Sequence, residues 1–254
     1  MYLYAQTNIQ LYNQLLSEGY PDKDLKLVSN SYKLAQQLFS LHYRPSGDTF
    51  ISHLVGTAGI LASLHMPVEV LVAGLLHASY IHGEFGKINI KSITAGKREK
   101  VRGIAGEKAE KYIYKYTSLK WNSKSIPDYL ERLNVYDDTD RNVLLIRLVN
   151  EIDDNNNLTP LYCPDLLQRI EYLKNSGLIM IEMTKQLGYP DLALEMSEIF
   201  NEVISIKIPM KLNNPDGSKR AYMIVPKSYH RSLLNSAYKQ VQKGIHFYNK
   251  LIHS

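Results

Sequence analysis

The 254-residue sequence has a single cysteine, Cys163, and no long apolar run. One cysteine excludes an internal disulfide, and a lone cysteine of this kind is expected to be structural. The longest mostly apolar stretch, residues 68–80, contains Glu69 and His77 and is too short to cross a bilayer. No basic region followed by an apolar run opens the sequence, so no signal peptide is predicted. These absences predict a cytoplasmic protein without membrane contact.

The sequence also lacks the common short motifs of nucleotide and metal chemistry. It contains no G-x-x-x-x-G-K-[ST], G-x-G-x-x-G, C-x-x-C or H-E-x-x-H pattern. The net charge of +5 suits an anionic small-molecule ligand but is too small to imply nucleic acid. A hydrophobic fraction of 44% and a charged fraction of 22% are ordinary for a globular chain with a packed core.

Apolar residues recur at helical spacing through most of the chain, which predicts an all-α domain over residues 1–204. Gly56, Gly59 and Gly74 fall inside predicted helices, and we expect the helices that carry them to cross at close range. Residues 83–103 are basic and are predicted to form a loop, which would either attract phosphate groups or remain solvated. Helices are predicted at 27–39, 50–61, 67–80, 106–116, 140–154, 165–187 and 191–204.

The C-terminal part has a different pattern. Residues 204–212 alternate between apolar and basic, residues 213–217 have turn composition, and residues 221–226 are again apolar. This order predicts a β-hairpin, followed by an amphipathic helix over 229–252. We therefore expect an extension over residues 205–254, which could form a homodimer contact or a surface for another partner.

Two histidines, His53 and His77, lie on two of the predicted core helices. A single histidine in such a setting is more often a hydrogen-bonded core residue than a ligand. Two of them on crossing helices can converge on one ion, since imidazole is the commonest metal ligand.

The residues around these histidines follow a known pattern. Arg44, Ser46, Gly47 and His53 match R-x-S-G-E-P-Y-x-x-H, and residues 73–77 match A-A-L-L-H with Gly74 in place of the second alanine. Weaker matches follow at 103–119, 147–158 and 187–200. Over about residues 30–203 the chain thus resembles the RelA/SpoT alarmone hydrolases, which implies the HD-domain helical bundle.

The resemblance also implies what has been lost. In that family two His and two Asp hold a Mn ion, which activates water to remove pyrophosphate from the 3′ position of a nucleotide. The two histidines are matched here, but Ala78 and Asn150 stand at the aspartate positions. Ile81 and His82 stand where the family has a catalytic Glu-Asp pair. Because Mn favours carboxylate oxygens, the site resembles a degenerate one.

Nearby residues could rebuild a metal site. Asp154 follows Asn150 by four residues and shares its helix face, and Asp153 is close. We predict His53, His77 and Asp154 as ligands of one divalent Zn, Fe or Mn ion, with a metal-free site as the alternative. The other interpretation of residues 153–157 is a solvated helix end.

Acid–base chemistry would use the second histidine and its neighbours. His77, Tyr80 and His82 are the catalytic candidates, and His82 can join the site only if the helix ends near Tyr80. The alternative for Tyr80 is a buried ring whose hydroxyl bonds to a histidine.

Ligand binding is predicted at Arg44, Ser46, Asn150 and Asp154. In the family the arginine lies against the nucleotide base, which implies that the ligand cleft survives. The alternative is that Arg44 pairs with Asp48 or caps a helix.

Two functions of different kinds follow from the sequence. The first is a diverged HD-domain protein, similar to metal-dependent phosphohydrolases, that acts on a small phosphorylated or otherwise anionic metabolite. The second is a catalytically inactive protein that binds a nucleotide or a partner and regulates. Alarmone hydrolysis itself is the least favoured, because the carboxylates are missing.

Overall fold

A computed structural model describes residues 4–40, 42–86, 92–163 and 165–207. Within these ranges the chain forms eleven α-helices and no strand, which confirms the all-α class. Two 3-10 helices cover Leu133–Val135 and Asn156–Tyr162. The helices are α1 Asn8–Ser17, α2 Asp22–Phe39, α3 Phe50–Ser63, α4 Val68–Leu76, α5 Ser79–His82, α6 Ala95–Ala105, α7 Glu107–Thr117, α8 Ile126–Glu131, α9 Asp138–Asn155, α10 Leu166–Gln186 and α11 Pro190–Ile204.

The predicted β-hairpin and final helix fall almost entirely on residues 208–254, which lie outside the described residues. Ile204, which the predicted helix and the predicted first strand shared, is the last residue of α11, and residues 205–207 form no strand. Among the ranges given above, no helix has the length and apolarity needed to cross a membrane.

The core is centred on α3 and α4. Every residue from His53 to Ala62 is buried, and so is every residue from Val70 to Leu76. Full burial of one such aliphatic side chain contributes roughly 1.5–3 kcal/mol. Capping defines where α3 begins, because the hydroxyl of Thr49 accepts a hydrogen bond from the backbone of Ser52. These contacts set the depth of His53 in the core.

Gly56, Gly59 and Gly74 each allow a neighbouring segment to approach closely, and the neighbour differs among the three. A Cβ on Gly74 would lie 2.4 Å from Leu61 of α3, so the predicted crossing of α3 and α4 is confirmed there. A Cβ on Gly56 would lie 1.9 Å from the Oδ1 atom of Asp153, so this glycine brings α3 against α9. Gly59 faces the N-terminal segment, where its Cβ would lie 3.3 Å from Ala5.

The helix predicted over residues 67–80 is interrupted. It ends at Leu76, and α5 begins at Ser79 after Ala78, whose φ of −87° and ψ of 1° are not α-helical. The interruption turns the chain at His77, so the five-residue spacing to His82 no longer places the two rings on opposite sides of one helix.

The predicted loop over 83–103 is wrong for its second half, which forms α6. Thr94 caps this helix, and Val101 and Ala105 form its buried apolar side. The many basic residues between them make this apolar side difficult to recognise in the sequence. Arg98 pairs with the buried Glu110 of α7 at 2.7 Å, and Arg102 lies 3.7 Å from it. These basic residues therefore hold α6 on α7. Helices α1 and α8 were also absent from the sequence-based prediction.

Replacing Gly56 with alanine tests the close approach of α3 and α9. Because the short Asp153 side chain is held by its own partners, we expect the free energy of unfolding to fall by about 1–3 kcal/mol. Gly103→Ala is the matched control, since nothing lies within 4 Å of its Cβ position in α6. That variant should gain about 0.5–1 kcal/mol. Chemical denaturation measures both, and equal effects would contradict this packing.

Candidate functional site

A cleft of about 440 Å³ opens between the α4–α5 break, α3, α7, α9 and α10. The segment that joins α2 to α3 forms one of its walls. Its polar lining contains several guanidinium groups and several imidazole groups. They belong to Arg44, Arg147 and Arg169, and to His42, His53, His77 and His82.

Both ring nitrogens of His53 are engaged. Nδ1 lies 2.5 Å from the Oδ2 atom of Asp153, and Nε2 lies 3.0 Å from the amide nitrogen of Asn150. An amide nitrogen only donates, so Nε2 must accept and Nδ1 must carry the proton. His53 is therefore assigned as the neutral Nδ1–H tautomer, with its proton directed at Asp153.

The amide orientation of Asn150 is fixed by its other contacts. Its oxygen accepts a hydrogen bond of 2.9 Å from the hydroxyl of Tyr116 and another from Arg147. Two donors at the oxygen leave the nitrogen facing His53. Asn150 is only 2% exposed, so an unmade hydrogen bond here would be costly.

Arg147 is held from behind by a buried carboxylate. Its guanidinium pairs with Glu151, which also accepts hydrogen bonds from Trp121 at 3.0 Å and Tyr172 at 3.1 Å. Burial opposes the charged form of Arg147, but the neighbouring Tyr116 and Glu151 raise its pKa above the usual value. The cation therefore persists beside the cleft.

His77 differs from His53 in having one nitrogen available. Its Nδ1 donates to the carbonyl oxygen of Gly74 at 2.7 Å, so Nε2 carries a lone pair. No hydrogen bond to Nε2 is present among the described parts of the chain. Burial lowers the pKa of His77 to about 3. The ring lies 5.2 Å from that of His53 and 4.9 Å from that of Tyr116, between centroids.

Arg44 joins the two aspartates at the end of α9. It pairs with Asp154 and lies 3.7 Å from Asp153, rather than pairing with Asp48. Burial raises the pKa of Asp154, but Arg44 and Arg147 reverse this and hold it below its usual range. Asp153 is buried and Asp154 partly so, and the solvated helix end is therefore wrong for these two residues.

Ser46 lies on the other side of Arg44. Its hydroxyl donates to Asp48 at 2.8 Å, and it lines a polar cavity of about 220 Å³ that shares Arg44 and His53 with the cleft. Of the four predicted ligand-binding residues, three line the cleft itself, and Ser46 lines this neighbouring cavity.

A buried group could hold a metal ion. Ligand atoms of His53, Asp153 and Asp154 all lie within 4.8 Å of one another. One imidazole and two carboxylates are suitable donors for a divalent cation, and binding would displace the Nδ1 proton of His53. This group contains two of the three predicted ligands, with Asp153 in the place of His77.

Of the two remaining catalytic candidates, His82 lines the cleft and Tyr80 does not. Tyr80 donates a 2.8 Å hydrogen bond to Glu110 and stacks on Phe85, so it is a buried tyrosine whose partner is a carboxylate instead of a histidine. His82 lines the cleft, 5.6 Å from the ring of Phe50. Burial, together with the neighbouring His42, lowers the pKa of His82.

Several cleft residues were missed by the sequence analysis, above all Arg147, Tyr116 and Arg169. A usable signal existed for Arg147. It precedes Asn150 by three residues and Asp154 by seven, and these spacings share one helix face.

The sequence is partly similar to those of known proteins. Residues 36–120 match a family described as a domain of unknown function, DUF6817. The chain is 43% identical over 60 residues to the bifunctional (p)ppGpp synthase/hydrolase RelA of Mycobacterium tuberculosis, a match covering 24% of the chain and 8% of RelA. It is 34% identical over 77 residues to SpoT of Escherichia coli, covering 30% of the chain and 10% of SpoT. With the GTP pyrophosphokinase rsh of Brucella suis it shares 24% identity over 184 residues, covering 70% of the chain and 23% of that protein.

The partial similarity to RelA and SpoT proteins expected from the motifs is therefore confirmed. The chain spans less than a quarter of the length of each of these relatives.

The contact between Asn150 and His53 predicts the effect of Asn150→Asp. A carboxylate cannot donate to Nε2, so two lone pairs would face each other at 3.0 Å unless a cation lies between them. We expect affinity for Zn or Mn to rise by about tenfold or more. Asn142→Asp, on the same helix but outside the cleft, is the control. Chelator competition measures the change, and unchanged affinity in a folded variant would contradict the assignment.

Proposed function

We propose that the chain is a diverged HD-type, phosphohydrolase-like protein that acts on a small phosphorylated metabolite bound in the cleft. One observation carries the proposal. The guanidinium groups of Arg44, Arg147 and Arg169 converge on a cavity that also borders the buried His53–Asp153–Asp154 group. The relatives add support, since they include a guanosine-3′,5′-bis(diphosphate) 3′-pyrophosphohydrolase.

The arginines would have different tasks. Arg44 and Arg147 are held by carboxylates, so they set the field of the cleft more than they move. Arg169 bonds to the half-exposed Asp165 at 3.0 Å, a contact that a phosphate could replace. Planar guanidinium groups bind phosphate oxygens in pairs, which favours a phosphoryl group near Arg169. The cavity volume suits a ligand of about nucleotide size.

Hydrolysis needs a positioned water and a route for its proton. The Nε2 lone pair of His77 faces the cleft and can accept a hydrogen bond from that water. Because its pKa is so low, His77 stays neutral and orients the water instead of storing a proton. His82, nearer the cleft mouth, is the second imidazole and the candidate for proton exchange with solvent. A divalent ion held by His53, Asp153 and Asp154 would supply Lewis-acid activation of the phosphoryl group.

A second candidate function is ligand binding without catalysis. A specific observation favours it: both nitrogens of His53 are already hydrogen-bonded, and Asn150 supplies an amide where a metal site needs a donor atom. A cleft whose histidine is engaged in such contacts can still bind a phosphorylated ligand, and the bound state can alter the affinity for a partner.

Replacing Arg169 tests the shared part of both candidates. Arg169→Ala should weaken binding of pyrophosphate or of guanosine 3′,5′-bis(diphosphate) by about 10- to 100-fold, because a charged hydrogen bond is lost. Folding should be unaffected, since Asp165, the side chain that pairs with Arg169, is half exposed. The emission of Trp121, the single tryptophan, which contacts Arg147, reports binding.

Lys174→Ala removes one positive charge from the exposed side of α10 and serves as the control. Equal affinity in Arg169→Ala and Lys174→Ala would contradict a phosphate subsite at Arg169. Phosphate or pyrophosphate release with Mn, Zn or Fe that is lost in His77→Ala supports the enzyme. Saturable binding without release under any of these ions supports the second candidate. Failure of every phosphorylated compound to bind overturns both.

A further inference from the structure

A second cavity, of about 220 Å³, lies between α7 and α9 and shares no lining residue with the cleft. We refer to it as the α7–α9 pocket. Its walls are apolar, with two buried aliphatic side chains at the base and two half-buried aromatic rings at the side. These wall residues are Leu119, Tyr129, Tyr136, Val143 and Leu144.

One end of the α7–α9 pocket carries a pair of opposite charges. Lys115 on α7 and Asp140 on α9 form an ion pair of 2.6 Å, and each side chain is more than a third exposed. An ion pair this exposed contributes little to stability, so a ligand can replace it without a large loss. The pocket thus offers one cation and one anion side by side at the end of an apolar cavity.

This combination selects a ligand of matching chemistry. A carboxylate would pair with Lys115 and an ammonium group with Asp140, while an apolar side chain would fill the cavity beyond them. A free α-amino acid carries both charged groups on one carbon atom. The rings of Tyr129 and Tyr136 favour a large apolar or aromatic side chain, because aromatic pairs gain from stacked or edge contacts.

The α7–α9 pocket is connected to the cleft by contacts. The ring of Tyr129 stacks on Trp121, with centroids 5.7 Å apart and planes inclined by 25°. Trp121 donates its indole hydrogen to Glu151, which holds Arg147. Arg147 in turn bonds to Tyr116 and to Asn150, which line the cleft.

We propose that the α7–α9 pocket is a second ligand site, that it takes a free amino acid with a large apolar side chain, and that its occupancy is transmitted to Arg147 through Tyr129 and Trp121. The site does not depend on the reaction proposed for the cleft. Its effect on the cleft would be reciprocal, because coupling between two binding sites acts equally in both directions.

Three small probes test the site on the full-length protein. Phenylalanine carries both charged groups, 3-phenylpropionate only the carboxylate, and phenethylamine only the ammonium group. We expect saturable binding of phenylalanine, with the other two weaker by about tenfold or more, since each lacks one charged hydrogen bond. Saturation-transfer NMR measures binding, and the emission of Trp121 should change over the same concentration range.

Two conservative variants locate the binding. Lys115→Met and Asp140→Asn should each weaken phenylalanine binding by about tenfold or more, because each removes one charge partner. Lys111→Met, one turn earlier on α7 and outside the pocket, should bind as the unchanged protein does. Circular dichroism checks that each variant is folded. We expect all of them to fold, because the substituted side chains are exposed or more than a third exposed.

The outcomes are distinct. No saturation by phenylalanine, equal affinity for all three probes, or equal affinity in all variants overturns the site. Saturable binding that leaves the emission of Trp121 unchanged overturns the connection to the cleft. None of these results bears on whether phosphorylated compounds bind at Arg169, so the two proposals fail separately.

Discussion

The amide of Asn150 donates a hydrogen bond to Nε2 of His53, and the chemistry of the cleft depends on that contact. It fixes the proton of His53 on Nδ1 and directs it to Asp153. The same amide accepts from Tyr116 and Arg147, so one buried side chain joins the α7, α3 and α9 parts of the wall. A low-dielectric interior strengthens the hydrogen bonds of such a network. The atoms named above are paired, whereas the buried Nε atom of Arg147 has no hydrogen-bond partner among the described residues.

The balance of charge follows from this arrangement. Arg44 is matched by the two aspartates at the end of α9, and Arg147 by Glu151, so neither is a free cation in the cleft. Among the described residues, the groups best placed to meet a ligand are Arg169, whose partner Asp165 is half exposed, the Nε2 atom of His77, and His82. Gly56 supports this arrangement of charges, because the absence of a side chain there lets α9 approach α3 closely enough for Asp153 to reach His53.

Much of this could be predicted from the sequence where the signal is local. Helical spacing identified α2, α3, α4, α7, α9, α10 and α11, and the order of motifs brought His53, His77, Asn150 and Asp154 to one site. The failures depend on tertiary contacts. The α6 helix was hidden because its basic residues bond to Glu110, which is distant in the printed sequence by more than ten residues. Tyr80 also bonds to Glu110, because the helix is interrupted after His77. No local sequence pattern predicts that interruption. The tautomer of His53, which decides which of its ring nitrogens carries the lone pair, depends on side chains about a hundred residues away.

Nitrogen-detected NMR of the histidine rings, on protein freed of metal with a chelator, tests the central assignment most directly. The network predicts that His53 and His77 are both neutral at pH 7 with the proton on Nδ1, and that Asn150→Ala releases the Nε2 resonance of His53 alone. A protonated Nε2 on His53, or a charged His53 ring in the unchanged protein, would contradict it.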